Sequence, residues 1–357
     1  MKIYIRYLLK PYFTVAALIF PVFISIYALI EFFDKLDNVL KAKVPLYFLL
    51  EYILWRIPEI LFDLWPVCLV LAGLLAFAFL ARGNELIAFR SLGFSAMRLA
   101  FPYVTFALLF SLLFVIVSDS LLPESAYRST FVWETKIGKK NPQGVILKGK
   151  LHFRGINSFF IGQLITSSVT YVRNVVYAKV DSQGQPVRII WAKEAIFKNG
   201  RWIFKNGVVK EKKNHFIPTW FNEYSLILEF DPDTVMLVKK TPRLHSLQEL
   251  WEQRSFLKQA GLPTVVTESE ITYRLCYPLL SAALLLFSLP VLMGQRGRES
   301  LGKGLSLSIF FMTTGLIAFL IFKYIGDKGL VSPLLIQPLG LVFISLTGVM
   351  LFKIFRV

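Results

Sequence analysis

Six stretches of the chain contain no Asp, Glu, Lys or Arg and are apolar almost throughout: residues 11–30, 64–81, 99–118, 275–295, 304–322 and 329–352. The shortest has 18 residues and the longest 24. At about 1.5 Å of rise per residue, each reaches across a hydrocarbon core of about 30 Å once a residue or two is added at the edges. A seventh uncharged run, 155–172, carries Asn157, Ser158, Gln163, Thr166, Ser167, Ser168 and Thr170 and is too polar to be a span. The pattern predicts six transmembrane helices in two triplets. The first run continues to Glu31 with Pro21 inside it and no small-x-small site after it, which predicts a retained span, not a cleaved leader.

Between the triplets, 120–273 has the composition of a water-soluble domain. Segments 170–180, 187–197, 201–209, 224–230 and 234–238 are rich in β-branched and aromatic residues and are separated by short polar stretches. Asn199-Gly200 and Asn206-Gly207 offer the positive φ values of hairpin turns. These features predict an all-β domain over 120–245, a sandwich, jelly roll or open barrel. A helix over 246–260 follows. Ser246 and Glu249 have capping-box spacing, and Leu247, Leu250, Trp251 and Leu257 form an apolar stripe that Gly261-Leu262-Pro263 ends. Thr267 and Glu270 repeat the cap spacing ahead of the fourth span. The expected organisation is spans 1–3 in 1–119, the β domain in 120–245, an amphipathic linker in 246–270 and spans 4–6 in 271–357.

Composition agrees with a membrane protein: 55% hydrophobic residues, 18% charged and a mean hydropathy of +0.58. The net charge of +17 is spread along the chain, which argues against a nucleic-acid-binding arm. The N-terminal tail, 82–98, 296–303 and the C-terminal tail hold 11 Lys and Arg in 40 residues, whereas 31–63 and 323–328 hold 6 in 39. The positive-inside rule therefore predicts cytoplasmic termini and an extracytoplasmic β domain. Cys68 and Cys276 both fall in spans, where they read as small apolar side chains and not as a disulfide.

Little in the sequence points to catalysis. Gly297 to Gly304 satisfies G-x-x-x-x-G-K but ends in Gly304 where a P-loop needs a Ser or Thr hydroxyl, and it joins two spans, so this chain is not expected to hydrolyse ATP. His152, His215 and His245 are far apart in sequence, and no metal-ligand spacing or intramembrane carboxylate dyad is present. Residues 82–95 are more informative. Asn84 is placed to cap a short helix, and Gly93 to end it in the left-handed conformation. Glu85, Ala88, Phe89 and Leu92 fall at i, i+3, i+4 and i+7, giving an apolar face with an acid at its start. Either a membrane surface or another protein would suit that face.

The stretch ELIAFRSLGFS (85–95) resembles the E-L-x-x-x-R/Q-x-x-G-x-S segment of the LptF/LptG permeases of lipopolysaccharide export. RYLLKPYF (6–13), Asp119-x-x-x-Pro123, the three-plus-three spans around a β domain, and Asp231-Pro232-Asp233 agree with it, so the resemblance runs end to end. DPD and LIEFFDKLD (29–37) look closer to the LptG branch. The resemblance implies an inner-membrane permease with a periplasmic jelly-roll-like domain. It also implies a second LptF/LptG-type permease, two copies of a cytoplasmic LptB-type ATPase that binds ATP and Mg, and LptC/LptA-type periplasmic β proteins as partners. No cofactor is implied in this chain and no nucleic acid is involved. Residues 84–92, with Glu85 matching the family's acid, would be the coupling helix seated in the ATPase, and spans 1 and 5 would line the path of the lipid.

The outer end of span 1 departs from the pattern. The LptG branch carries a lysine where this chain has Glu31, and more lysines where it has Asp37 and Asn38; the cations here are Lys35, Lys41 and Lys43. Lipid phosphates need cationic partners, so Lys35 and Lys41 are the expected contacts. The alternative function is a membrane scaffold or receptor subunit with a periplasmic binding domain and no transport role. Topology is testable directly: in right-side-out membrane vesicles, Gly200→Cys and Lys35→Cys should react with an impermeant maleimide and Arg298→Cys should not. The opposite labelling pattern would invert the orientation.

Overall fold

The computed structural model describes all residues except 1, 84, 139–143, 148–149, 156, 165–170, 182–184, 199, 213–215, 229–241, 260–262, 295–299 and 355–357. Asn84, Asn199, His215, Asp231-Pro232-Asp233, the expected strand 234–238, and Gly297 to Glu299 of the basic loop lie outside the described residues. The first triplet comprises α1 (Lys2–Ala42), α2 (Tyr47–Arg82), the short α3 (Glu85–Ser91) and α4 (Ala96–Phe131), which runs on as a π-helical segment, Val132–Ile137. Seven strands follow: β1 (Gly144–Leu147), β2 (Lys150–Arg154), β3 (Ser158–Leu164), β4 (Tyr171–Val180), β5 (Pro186–Lys198), β6 (Arg201–Glu211) and β7 (Thr219–Leu226). After a 3-10 turn, Pro242–Leu244, come α5 (Leu247–Gln259), α6 (Val265–Gly294), α7 (Ser300–Asp327) and α8 (Pro333–Ile354). Six of these helices are long and apolar enough to cross a membrane, three on each side of the inserted β domain.

The helices outrun their uncharged cores. α1 has 41 residues and α2 has 36, about 60 and 54 Å at the usual rise, so their charged ends project well past a hydrocarbon core. α4 does not stop at Asp119 either. Neighbouring side chains stabilise its extension, as in the Arg128–Glu124 pair at i,i+4 (2.5 Å). Among the spans α6 is the hub: 78% of its most apolar window is buried inside the protein, against 6% for α1. It packs on α2, α4, α7 and α8, while α1 lies mainly along α2. Close approach needs small residues. A Cβ on Gly348 of α8 would lie 2.6 Å from the backbone of Leu286 in α6. Some polar groups in this interior are paired, as where the Trp65 indole donates to Ser111 (2.9 Å), which meets Ser281 (2.8 Å), whereas among the described residues the Tyr103 hydroxyl and Ser308 Oγ are buried without a partner.

Among the described residues the β domain is one antiparallel sheet with strands in sequence order, β1 to β7. The expected β insertion is present, but its described strands form a plain meander without the crossovers of a jelly roll, and the sheet is curled. Phe160 on β3 and Trp202 on β6 show the curl, with ring centroids 5.3 Å apart. Three strand intervals would separate them by about 14 Å in a flat sheet. The inner face closes over Leu151, Phe160, Val172, Ile190, Trp202 and Phe204, all fully buried. Asn206 (φ 53) does not make a turn. It sits inside β6, where neither it nor Lys193 opposite is ladder-paired, and Gly207 beside it passes so close to β5 that a Cβ would lie 2.2 Å from the Trp191 carbonyl oxygen. Gly200 (φ 75) does make the expected hairpin, between Lys198 and Arg201. Of the strand expected at 224–230 only 224–226 belong to β7, which begins at Thr219 and ends at Leu226, with 229–230 outside the described residues; the half-polar run from Ser158 supplies β3.

The capping box of α5 forms as its spacing predicts: Glu249 N–H donates to Ser246 Oγ (3.3 Å) and Ser246 N–H to Glu249 Oε2 (3.2 Å). The cap expected at Thr267 is displaced. α6 already begins at Val265, and Thr264 precedes it with its hydroxyl donating to Glu268 (3.1 Å). Replacing Trp202 by Ala opens a large cavity in the only described core of the β domain, a change that costs about 3–5 kcal/mol. Limited proteolysis of purified Trp202→Ala should cut within 144–226 at concentrations that leave the parent intact, with the helical bands unchanged.

Candidate functional site

Two regions of the molecule concentrate the residues singled out by sequence. At one end, together with the start of α1 and the last turn of α8, lies α3. Its C-terminus is a Schellman turn: Phe94 N–H donates to Phe89 O (3.1 Å) and Gly93 N–H to Arg90 O (2.9 Å), with Gly93 at φ 82. The hydrophobic contact that accompanies this motif is present, Phe89 against Phe94 at 5.7 Å. Ser95 then caps α4 by accepting from Arg98 N–H (3.4 Å). The glycine and the two residues after it in the 85–95 stretch are thus turn chemistry, stopping one helix and starting the next within four residues.

The four expected contact residues do not share one face. Phe89 turns inward and meets Tyr7 of α1 at 6.4 Å, while Phe94 meets Tyr4 at 5.4 Å. Ala88 and Leu92 point outward, and Leu92 is 74% exposed. Leu92 lies just beyond the last turn of α3, where the Schellman turn redirects the chain. Glu85 is half-buried beside a cleft of about 210 Å³ lined by Tyr7, Lys10, Pro11, Phe79 and Leu80. Its Oε2 is buried and accepts no hydrogen bond, an arrangement that favours the arrival of a cation or donor. A larger groove of about 940 Å³ runs between α1 and α3, with Ile3, Tyr4, Phe89, Leu92, Phe94 and Arg98 in its walls. Arg90, which fills the R/Q position of the 85–95 stretch but to which the sequence assigned no role, reaches the second triplet: its Nη2 donates to the carbonyl of Met293 in the last turn of α6 (3.0 Å).

At the opposite end, beside the β domain, acidic and basic side chains interlock. Glu31 of α1 accepts from the Tyr52 hydroxyl (2.9 Å) and from Arg56 (3.2 Å), and Arg56 also donates to Glu59. Glu59, 3% exposed, accepts from Ser129 of α4 (3.4 Å) and lies 3.9 Å from Arg243. Arg243 donates to Asp63 (3.3 Å). Burial would lower the Arg243 guanidinium, but Asp63 and Glu270 outweigh it and hold it above its ordinary value. Glu31, the departure in span 1, therefore has a role of its own as the anchor of α1 to Arg56 of α2.

Lys35 and Lys41 do not converge. Six residues apart on one helix, they sit about 120° apart around its axis. Lys35 pairs with Asp34 (2.8 Å) and lies over the Trp133 ring (5.4 Å), whereas Lys41 is exposed in the last turn of α1. Lys136, over the Phe48 ring at 4.9 Å, joins Lys35 around the π-helical end of α4. No sequence spacing could have signalled it, because α4 reaches it only by running past Asp119. Asp119 itself accepts from Leu247 N–H at the start of α5 (2.6 Å), so a carboxylate on span 3 caps the linker helix.

A family model described as lipopolysaccharide export system permease LptF/LptG matches residues 6–354. That is essentially the whole chain, and the match does not separate the two branches. No curated protein matches the chain. The cap at Asp119 generates a prediction. A hydrogen bond to a charged group contributes about 1.5–3 kcal/mol, so Asp119→Ala should speed hydrogen exchange at the Leu247 amide about tenfold or more, with the inner strands unaffected.

Proposed function

The chain belongs to the lipopolysaccharide export system permease family LptF/LptG, and from that premise we propose that it is one permease subunit of an ATP-driven transporter. In this reading it pairs with a second LptF/LptG-type permease and with two copies of a cytoplasmic LptB-type ATPase. The complex lifts lipopolysaccharide from the inner membrane and passes it through the β domain to LptC/LptA-type periplasmic proteins. The observation that carries the reading is the family match over 6–354, which takes in both triplets and the β domain together. The excess of Lys and Arg in the loops on the α3 side supports cytoplasmic termini and a periplasmic β domain. Nucleotide binding and hydrolysis belong to the partner.

α3 is the coupling element in this proposal. Its outward residues, Ala88 and Leu92, meet the ATPase, and the buried, unpartnered carboxylate oxygen of Glu85 takes a basic side chain from it. Phe89 serves instead to seat α3 on α1. At the periplasmic end Lys35 and Lys136 supply charge for the lipid phosphates, with Lys41 exposed further along α1. Arg56 and Arg243 are already neutralised by Glu31, Glu59 and Asp63 and hold the helices together.

Two measurements check these assignments. Leu92→Asp places a charge in the docking contact while touching no core, so the permease should insert normally yet lose the copurifying ATPase; full retention would withdraw α3 as the docking element. Lys35→Glu combined with Lys136→Glu should weaken lipopolysaccharide photocrosslinking about tenfold or more in the assembled complex. Unchanged crosslinking would move the phosphate contacts elsewhere.

A further inference from the structure

A push on α3 has covalent routes only to α2 and α4, its chain neighbours in the first triplet. Among the described residues, ring contacts and a hydrogen bond add two others. Phe89 and Phe94 meet Tyr7 and Tyr4 of α1, and Arg90 donates to the Met293 carbonyl at the end of α6. Only the second of these enters the other triplet, and it enters at the hub helix, which packs on α2, α4, α7 and α8.

We propose that Arg90 is a positioning residue for transport: it ties the coupling helix to the C-terminal end of α6, so that displacement of α3 moves the second triplet as well as the first. This rests on the reading of α3 as the coupling element. Met293 is the penultimate residue of α6, so its carbonyl is among the last four that have no acceptor role inside the helix. A cation there also meets the negative end of the helix dipole. Met293 is 3% exposed, so the carbonyl belongs to the packed body of the protein. On the other side the backbone of Arg90 is fixed, because its carbonyl accepts from Gly93 N–H (2.9 Å) in the Schellman turn. The bond therefore links two ordered helix ends. Its partner is a neutral carbonyl, so reach and an N–H donor are the essential properties, and charge is secondary.

Those two properties set the test. In the complete complex with its ATPase, reconstituted in proteoliposomes, lipopolysaccharide extracted per ATP hydrolysed is measured for Arg90→Met and Arg90→Lys. Arg90→Met keeps an unbranched apolar stem and loses the donor; copurification of the ATPase and its turnover should stay within about twofold, while lipid moved per ATP falls about tenfold. Arg90→Lys, which keeps N–H donors at comparable reach, should recover most of that loss. Unchanged extraction per ATP in Arg90→Met would overturn the proposal, as would an equal loss in both variants, since a donor reaching the carbonyl would then not matter. Loss of the ATPase from both variants would also overturn it, making Arg90 a docking residue. Failure of the underlying reading shows separately, as ATPase retained by Leu92→Asp.

Discussion

Inside hydrocarbon a backbone amide or carbonyl has no water to bond to, and a helix satisfies these groups within a single segment. The rest of this structure depends on that constraint. It makes the six uncharged runs helical and places every irregular element at one of the two ends. It also leaves packing, not hydrophobicity, to decide which helix lies where, because lipid competes equally for apolar side chains. α6 becomes the hub because small or slender residues let neighbours approach it, as Gly348 does against Leu286. α1, with Leu18, Val22, Ile26, Leu29, Ile30 and Phe33 exposed, keeps an apolar face free along much of its length.

The two ends solve different problems with different chemistry. At the α3 end a turn must reverse the chain in a few residues and still hold its position. A Schellman motif, a serine cap, two aromatic contacts to α1 and one arginine to α6 do this without a buried ion pair. At the β end three long helices and an incoming linker must be joined outside the hydrocarbon. There Glu31, Arg56, Glu59, Asp63 and Arg243 form a chain of alternating charge in which each member has an opposite neighbour. Partly buried charges are tolerable on those terms and costly otherwise.

This contrast bears on how a lipid headgroup would be received. Arginines enclosed by carboxylates are poor phosphate ligands because the site is already occupied, whereas Lys35 and Lys136 rest against aromatic rings near the end of α4. Lys35 holds a carboxylate too, but Asp34 is an exposed neighbour, and such pairs yield easily to a better partner.

The sequence by itself determined the number of spans, their three-plus-three order, the β character of the insertion, the capping box at Ser246 and Glu249, and the glycine stop at Gly93. Each is a local property: a run of residues, an alternation or a three-residue spacing is enough to state it. Tertiary structure alone decided what the long-range geometry required. It placed Phe89 in the protein's own packing and Leu92 outside it, because the end of α3 is turned by its Schellman bonds and met by Tyr7. It carried α4 on to Ile137 and so brought Lys136 beside the end of α1. It also joined Arg90 to a carbonyl 203 residues away and Asp119 to the start of α5, partners whose spacing along the chain carries no signal because only the fold brings them together.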